Sequence, residues 1–218
     1  MLARMMLMKQ NLKKFALSFV GGNSYVDCGG AVSIKPRTAI SICAWVKFNT
    51  LATGVRFLSD WHQLTLEDRW LFFAGTTGSF VFHANTDTPA FTPTMGDWYL
   101  VTGTYDGSYL RLYINNDLIG AVLKTGLLPA GTSSKTVRLG KQQETGNGFD
   151  GEMDDVRIYS RALTLTEIGQ LHAGGAVSSE GLVGWWKMDE GSGLVAVDSS
   201  GNGNTGAIFN AIYTESDR

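Results

Sequence analysis

Little in this sequence points to covalent or metal chemistry. It holds 2 cysteines and 3 histidines in 218 residues. Cys28 and Cys43 are too few to frame a disulfide scaffold; they form one bridge or remain two buried thiols, and free cysteine is among the most buried residue types. His62, His83 and His172 lie far apart and show no metal-ligand spacing. There is no serine elbow, phosphate-binding glycine loop or Cys–His pairing. Charge is also sparse, at 17% of residues with a net value of −2. With no basic block, the chain lacks the electrostatic footprint that nucleic acid requires, so nucleic acid is excluded as a partner. No apolar run reaches about 18 residues, and membrane insertion is not expected. The first nine residues have neither an unbroken apolar stretch nor a small-residue cleavage site, so residues 1–14 are expected to form an N-terminal arm rather than a signal peptide.

What is present is glycine (27 residues, against 4 prolines) and enough apolar material, 44%, for a core. Short apolar runs separated by glycine turns indicate strands. The clearest is 39–48, where Ile40, Ile42, Ala44 and Val46 face one way and Ser41, Cys43 and Trp45 the other. Further strands are expected at 15–19, 25–28, 56–60, 70–74, 80–83, 98–105, 109–114, 118–122, 136–140 and 151–159. Asp106-Gly107 is the best hairpin turn, because Asp-Gly tolerates positive φ. One helix is expected: Thr164 caps it, Glu167 completes a capping box, Leu165, Ile168 and Leu171 share a face, and Gly174-Gly175 ends it. The fold class is all-β: one antiparallel two-sheet β-sandwich over residues 15–218, with one short helix in its C-terminal half. Trp45, Trp98 and Trp185 lie in strand patterns and are expected in the core.

Two loops carry candidate site residues. Asp60, Trp61 and His62 lie between strands, where an aromatic beside polar groups suits a sugar ring and its hydroxyls; the alternative is an indole plugging the end of the sandwich. The 198–204 loop places Asp198, Ser200 and Asn202 at alternate positions, like the first half of an EF-hand. Phe209 stands where that loop needs its bidentate Glu, so an EF-hand is rejected. Its Asp and Asn oxygens suit a hard cation, or equally the Asx-turn bonds of a tight loop.

Several segments, in order, resemble the laminin G-like jelly rolls of the concanavalin A-like lectin/glucanase superfamily. They are Ala16-Leu17-Ser18-Phe19, Tyr25-Val26-Asp27, Ile40-Ser41-Ile42-Cys43-Ala44-Trp45-Val46, residues 98–107, Leu112-Tyr113-Ile114-Asn115 and residues 154–163. The set spans 15 to about 172. Residues 181–193 and 198–206 resemble the opening of such a domain, yet stand at the end. That segment either begins a second copy or closes onto a sandwich, within the chain as a permutation or with a neighbour as a strand-swapped homo-oligomer. The resemblance implies a jelly roll that recognises a glycan or glycoprotein, or acts in adhesion, outside the cell or at its surface. It also implies a structural Ca²⁺, for which Asp198, Asn202, Asn204 and Asp155 are the nominated ligands. Glycosidases of this superfamily carry carboxylates alternating along one strand. Glu152 and Asp154 would share a face, but Val156 occupies the position of the next required Glu, which disfavours catalysis.

Overall fold

The computed structural model describes residues 14–60, 70–76, 78–84, 86–128, 136–141 and 148–218. Its strands in chain order begin with β1 (Phe15–Val20), β2 (Tyr25–Asp27), β3 (Ile40–Thr50), β4 (Arg56–Ser59) and β5 (Leu71–Thr76). Next come β6 (Ser79–His83), β7 (Trp98–Tyr105), β8 (Tyr109–Ile114), β9 (Asp117–Leu123) and β10 (Arg138–Leu139). The last are β11 (Asp150–Tyr159), β12 (Leu182–Trp186), β13 (Val195–Ala196), β14 (Gly206–Phe209) and β15 (Ile212–Glu215). One sheet has the order β15-β1-β11-β3-β7-β8-β9, with β12 also paired to β11; the second has the order β13-β14-β2-β10-β4-β5-β6. The pairings are antiparallel.

The period of two decides what lies between the sheets. Ile40, Ile42, Ala44, Val46 and Phe48 of β3 are all fully buried against Phe57, Phe72, Phe80 and Phe82 from the second sheet. Gly103 of β7 is required where it stands, because a Cβ there would come within 2.6 Å of the Phe82 ring. Asp106 closes the β7–β8 hairpin by accepting the Ser108 and Tyr109 amides, with Gly107 at φ 91°.

Residues 182–215 contribute four strands that pair within the chain: β12 on β11, β13 on β14, β14 on β2 and β15 on β1. Cys28 and Cys43 are buried and unbridged. Burial pushes the Cys28 thiol up and the Cys43 thiol to about 12, so neither is a nucleophile. Among the described residues no helix is long and apolar enough to cross a membrane.

The α-helix α1 (Leu165–His172) lies on the outer face of the first sheet, over Cys43, Tyr159 and Leu100. Ser41 guides the chain into it by donating to the Arg161 carbonyl and accepting the Leu163 amide. The capping box forms as expected, and Gly175 donates to the Gln170 carbonyl at the far end. Ile168 and Leu171 are buried, but Leu165, in the first turn, is exposed. The tryptophans are placed differently from the expectation that Trp45, Trp98 and Trp185 lie in the core. Trp186 is the core indole of β12, fully buried, whereas Trp185 and Trp98 are only half-buried on the outer face. Trp45 is buried, also on that outer face, against α1.

Glu167 bonds the Thr164 amide and the Arg161 guanidinium, at 2.8 and 2.5 Å. The Arg161 bond, working against partial burial, holds its carboxyl down at about 2, from 4.5. Because the folded pKa lies below the unfolded one, this contribution is complete above about 4.5 and drains away as the pH falls towards 2. Glu167→Gln is expected to cost about 1–2 kcal/mol at neutral pH. Thermal unfolding across pH should show that difference shrinking in acid; a pH-independent difference would contradict the assignment.

Candidate functional site

The site grows from a defect in β11. Along one edge β11 pairs with β1 over residues 150–153 and with β12 over residues 156–159. Between these two stretches its register against β3 shifts, with Asp154 opposite Trp45 and Arg157 opposite Cys43. Asp155 there has φ 50°, a left-handed conformation that Asp tolerates better than most residues. The extra residue lets Asp154 and Asp155 both leave the core, while Met153 and Val156 on either side stay fully buried.

The gap between β1 and β12 becomes an open groove of about 500 Å³. Its walls are Lys14, Asp154, Asp155, Arg157, Trp185, Lys187, Asp189 and Arg218. These groups hold one another. Asp155 accepts two bonds from Arg157, both 2.9 Å, and one from the Trp185 indole at 2.6 Å. The Arg157 guanidinium and the Lys187 ammonium each lie 4.4 Å from the Trp185 ring centre. Arg218 clasps Asp154 at 2.7 and 2.5 Å and lies over Trp45. Burial, outweighing Arg218, raises Asp154 to about 6, and burial likewise raises Asp189.

The residues nominated for calcium are placed differently. The Asp198 carboxylate accepts the backbone amides of Trp185, Ser200 and Asn204, at 3.0, 2.9 and 2.8 Å. Asn202 donates to the Leu182 carbonyl and Asn204 to the Val183 carbonyl. The Asn204 carbonyl in turn accepts the buried Trp186 indole. Asp155 belongs to the groove. The two carboxylates therefore hold opposite parts of Trp185, its amide and its indole, rather than one ion. Among the described residues no three His, Cys, Asp or Glu side chains gather to hold a metal. In this arrangement Asp198, Asn202 and Asn204 anchor the loop through N–H bonds, while Asp155 stands with Arg157 in the groove.

Of the other nominated loop, Trp61 and His62 lie outside the described residues. Asp60 is buried and faces Lys35 at 3.6 Å, with both side chains almost completely shielded. It is part of an interior ion pair rather than an exposed sugar contact. Glu152 does share the outer face with Asp154, but it is paired with Lys47 at 3.3 Å, and Val156 points into the core.

The sequence reading missed Trp185, Arg157, Lys187, Asp189 and Arg218. A signal for Trp185 was available: Lys187 stands two residues on, and a lysine at i+2 on a strand marks the solvent side, leaving Trp186 for the core.

Asp154 offers a check on this electrostatic picture. Its folded pKa lies above its unfolded value, so the stability it lends as an acid is complete below 3.8 and is lost as pH rises through about 6. Asp154→Asn keeps the neutral form, so its stability relative to wild type should rise from pH 4 to pH 7.5, by about 2–3 kcal/mol. Denaturant unfolding at several pH values measures this; a difference that stays flat would contradict the raised pKa.

Comparison with known proteins matches this architecture. No curated protein matches the sequence. Among solved structures, a candidate carbohydrate-binding protein from Bacteroides ovatus superposes over 94% of this chain with a TM-score of 0.73 at 17% identity; the chain spans 61% of that protein's length. The heptameric SAP-like pentraxin of Limulus polyphemus gives a TM-score of 0.60 at 16% identity, covering 92% of this chain and 97% of the pentraxin. Domain 4 of an extracellular arabinanase from Geobacillus stearothermophilus, solved with arabinotriose, gives 0.53 at 19% identity, covering 72% of this chain and 76% of that one. These similarities show a shared fold. A family model described as Concanavalin A-like lectin/glucanases superfamily matches residues 20–169. Since that is more than half of the sequence, the chain belongs to this laminin G-type family of the concanavalin A-like lectin/glucanase superfamily.

Proposed function

We propose that this protein is a non-catalytic carbohydrate-recognition module that reads its ligand in the Trp185 groove, outside the cell or at its surface. One observation carries the reading: a half-buried indole stands in an open groove among planar Asp and Arg side chains already fixed by their mutual bonds. A sugar offers both apolar C–H surface and directional hydroxyls. An aromatic wall with oriented donors and acceptors suits both, and groups ordered in advance lose little entropy on binding. The Bacteroides ovatus protein and the arabinotriose-bound domain have this fold, and the proposal extends their ligand class to this chain.

Binding fits the groove better than cleavage does. A retaining glycosidase needs a free carboxylate nucleophile and a separate acid about 5–5.5 Å away. Here Glu152, Asp154 and Asp155 are each paired with a cation. Cleavage would draw on the burial of Asp154 in this groove, which raises its carboxyl towards the range of a general acid. Reducing-end release that is abolished by Asp154→Asn would establish that second reading.

Because the Asp198 loop is held by its own amide hydrogen bonds, fold and glycan binding are expected to persist in chelator. A glycan array run on wild type, with and without chelator, and on Trp185→Ala tests both points. Trp185→Ala should keep the far-ultraviolet spectrum and weaken binding by at least about tenfold. Undiminished binding would exclude the groove, chelator-abolished binding would restore the calcium reading, and a blank array from folded wild type would favour adhesion or protein binding.

A further inference from the structure

The same outer face carries a second constellation that the groove does not use. The registers of β11, β3 and β7 place Glu152, Lys47 and Trp98 in one row across three strands. The Lys47 ammonium donates to both oxygens of the Asp217 carboxylate, at 3.1 Å each, and the Trp98 indole donates to one of them at 2.7 Å. Three donor contacts converge on one planar anion.

The partners of this contact differ in an instructive way. Lys47 and Trp98 belong to the sheet, and the Lys47 side chain is only 16% exposed. Asp217 follows the end of β15, and its side chain is 69% exposed. Lys47 also keeps a second carboxylate, Glu152 at 3.3 Å, so Asp217 is not its sole anionic partner. The next residue, Arg218, lies over Trp45 and bonds Asp154, which places 217–218 along the sheet face in the manner of a bound ligand. The receptor groups thus stand on strands of the sheet, while the group they hold is the more exposed. An ammonium and an indole N–H aimed at one carboxylate form charge-assisted bonds that a neutral hydroxyl does not match.

We propose that Lys47 and Trp98 form a subsite for the carboxylate of an acidic sugar, and that Asp217 occupies it in competition with that ligand. The sugar identity rests on the carbohydrate reading of the adjoining groove; the carboxylate receptor stands on its own geometry. The Trp98 and Lys47 bonds, only slightly offset by burial, hold the Asp217 carboxyl below its ordinary range, as a favourable seat for an anion should.

The test uses the full chain, ¹⁵N-labelled, and follows the Trp98 indole resonance while glucuronate, N-acetylneuraminate or glucose is added. In wild type the tethered Asp217 competes. In Asp217→Asn the Trp98 signal should saturate at an acidic-sugar concentration about tenfold lower or better, as expected when a tethered competitor is weakened. Glucose should leave the signal unmoved. The acidic probe that saturates first separates a uronic acid from a sialic acid. Adding Trp98→Phe or Lys47→Gln to Asp217→Asn should remove saturable binding, read by calorimetry. Identical titrations of wild type and Asp217→Asn, or an equal response to glucose, would overturn the subsite. Because this readout does not pass through Trp185, failure here leaves the groove standing, and failure of Trp185→Ala to affect the array leaves this subsite standing.

Discussion

The arrangement of β11 constrains the rest of this molecule. It runs through the middle of the larger sheet with β3 along one edge, while its other edge is shared by two short strands distant in sequence, β1 and β12. A strand cannot change neighbours without a break in its pairing. The bulge at Asp154–Asp155 lies at that break and turns both side chains outward. The groove is the space left between β1 and β12, so topology and site arise from one irregularity. Asp198 keeps β12 in place by bonding the Trp185 amide, and Asp155 fixes the indole. The carboxylate expected to gather round an ion thus works as part of a frame that orients an aromatic ring.

The electrostatics follow from this placement. An outward patch on a sheet, bordered by a helix and by residues 216–218, is shielded enough that lone charges would be costly. Three acidic groups on the β11 outer face have a cation beside them: Lys47 for Glu152, Arg218 for Asp154 and Arg157 for Asp155. Such pairs contribute little net stability, since desolvation offsets attraction. What they supply is geometry, holding guanidinium and carboxylate planes in set orientations before a ligand arrives. A recognition surface needs that, whereas a hydrolase needs at least one carboxylate free to react.

The fold was legible in the sequence because alternation is a strong signal where one face is buried. Ile40 to Phe48 announced their strand, Asp106-Gly107 its hairpin, and Thr164 with Glu167 the helix start. The site was much less legible. A bulge reverses the alternation locally, and nothing about Asp154-Asp155 alone says that both point outward. Trp185 looked like core because it lies in a strand pattern; only Lys187 and the buried Met188 resolve that Trp186, not Trp185, faces inward. Asp198 was found for its oxygens, but whether they face an ion or amides depends on how the loop closes over Trp185. Arg218 and Asp217 act 64 and 119 residues from their partners Asp154 and Trp98, a relation no local pattern carries.

If the groove is the recognition site, a sugar binds where β11 changes neighbours. A crystal structure with a bound oligosaccharide, chosen from the tightest array hits, tests it most directly. Sugar density is expected in the groove between β1 and β12, against the Trp185 indole and within hydrogen-bonding reach of Asp155 or Arg157. Density confined to the outer face of the second sheet, or to the far end of the sandwich, would contradict it.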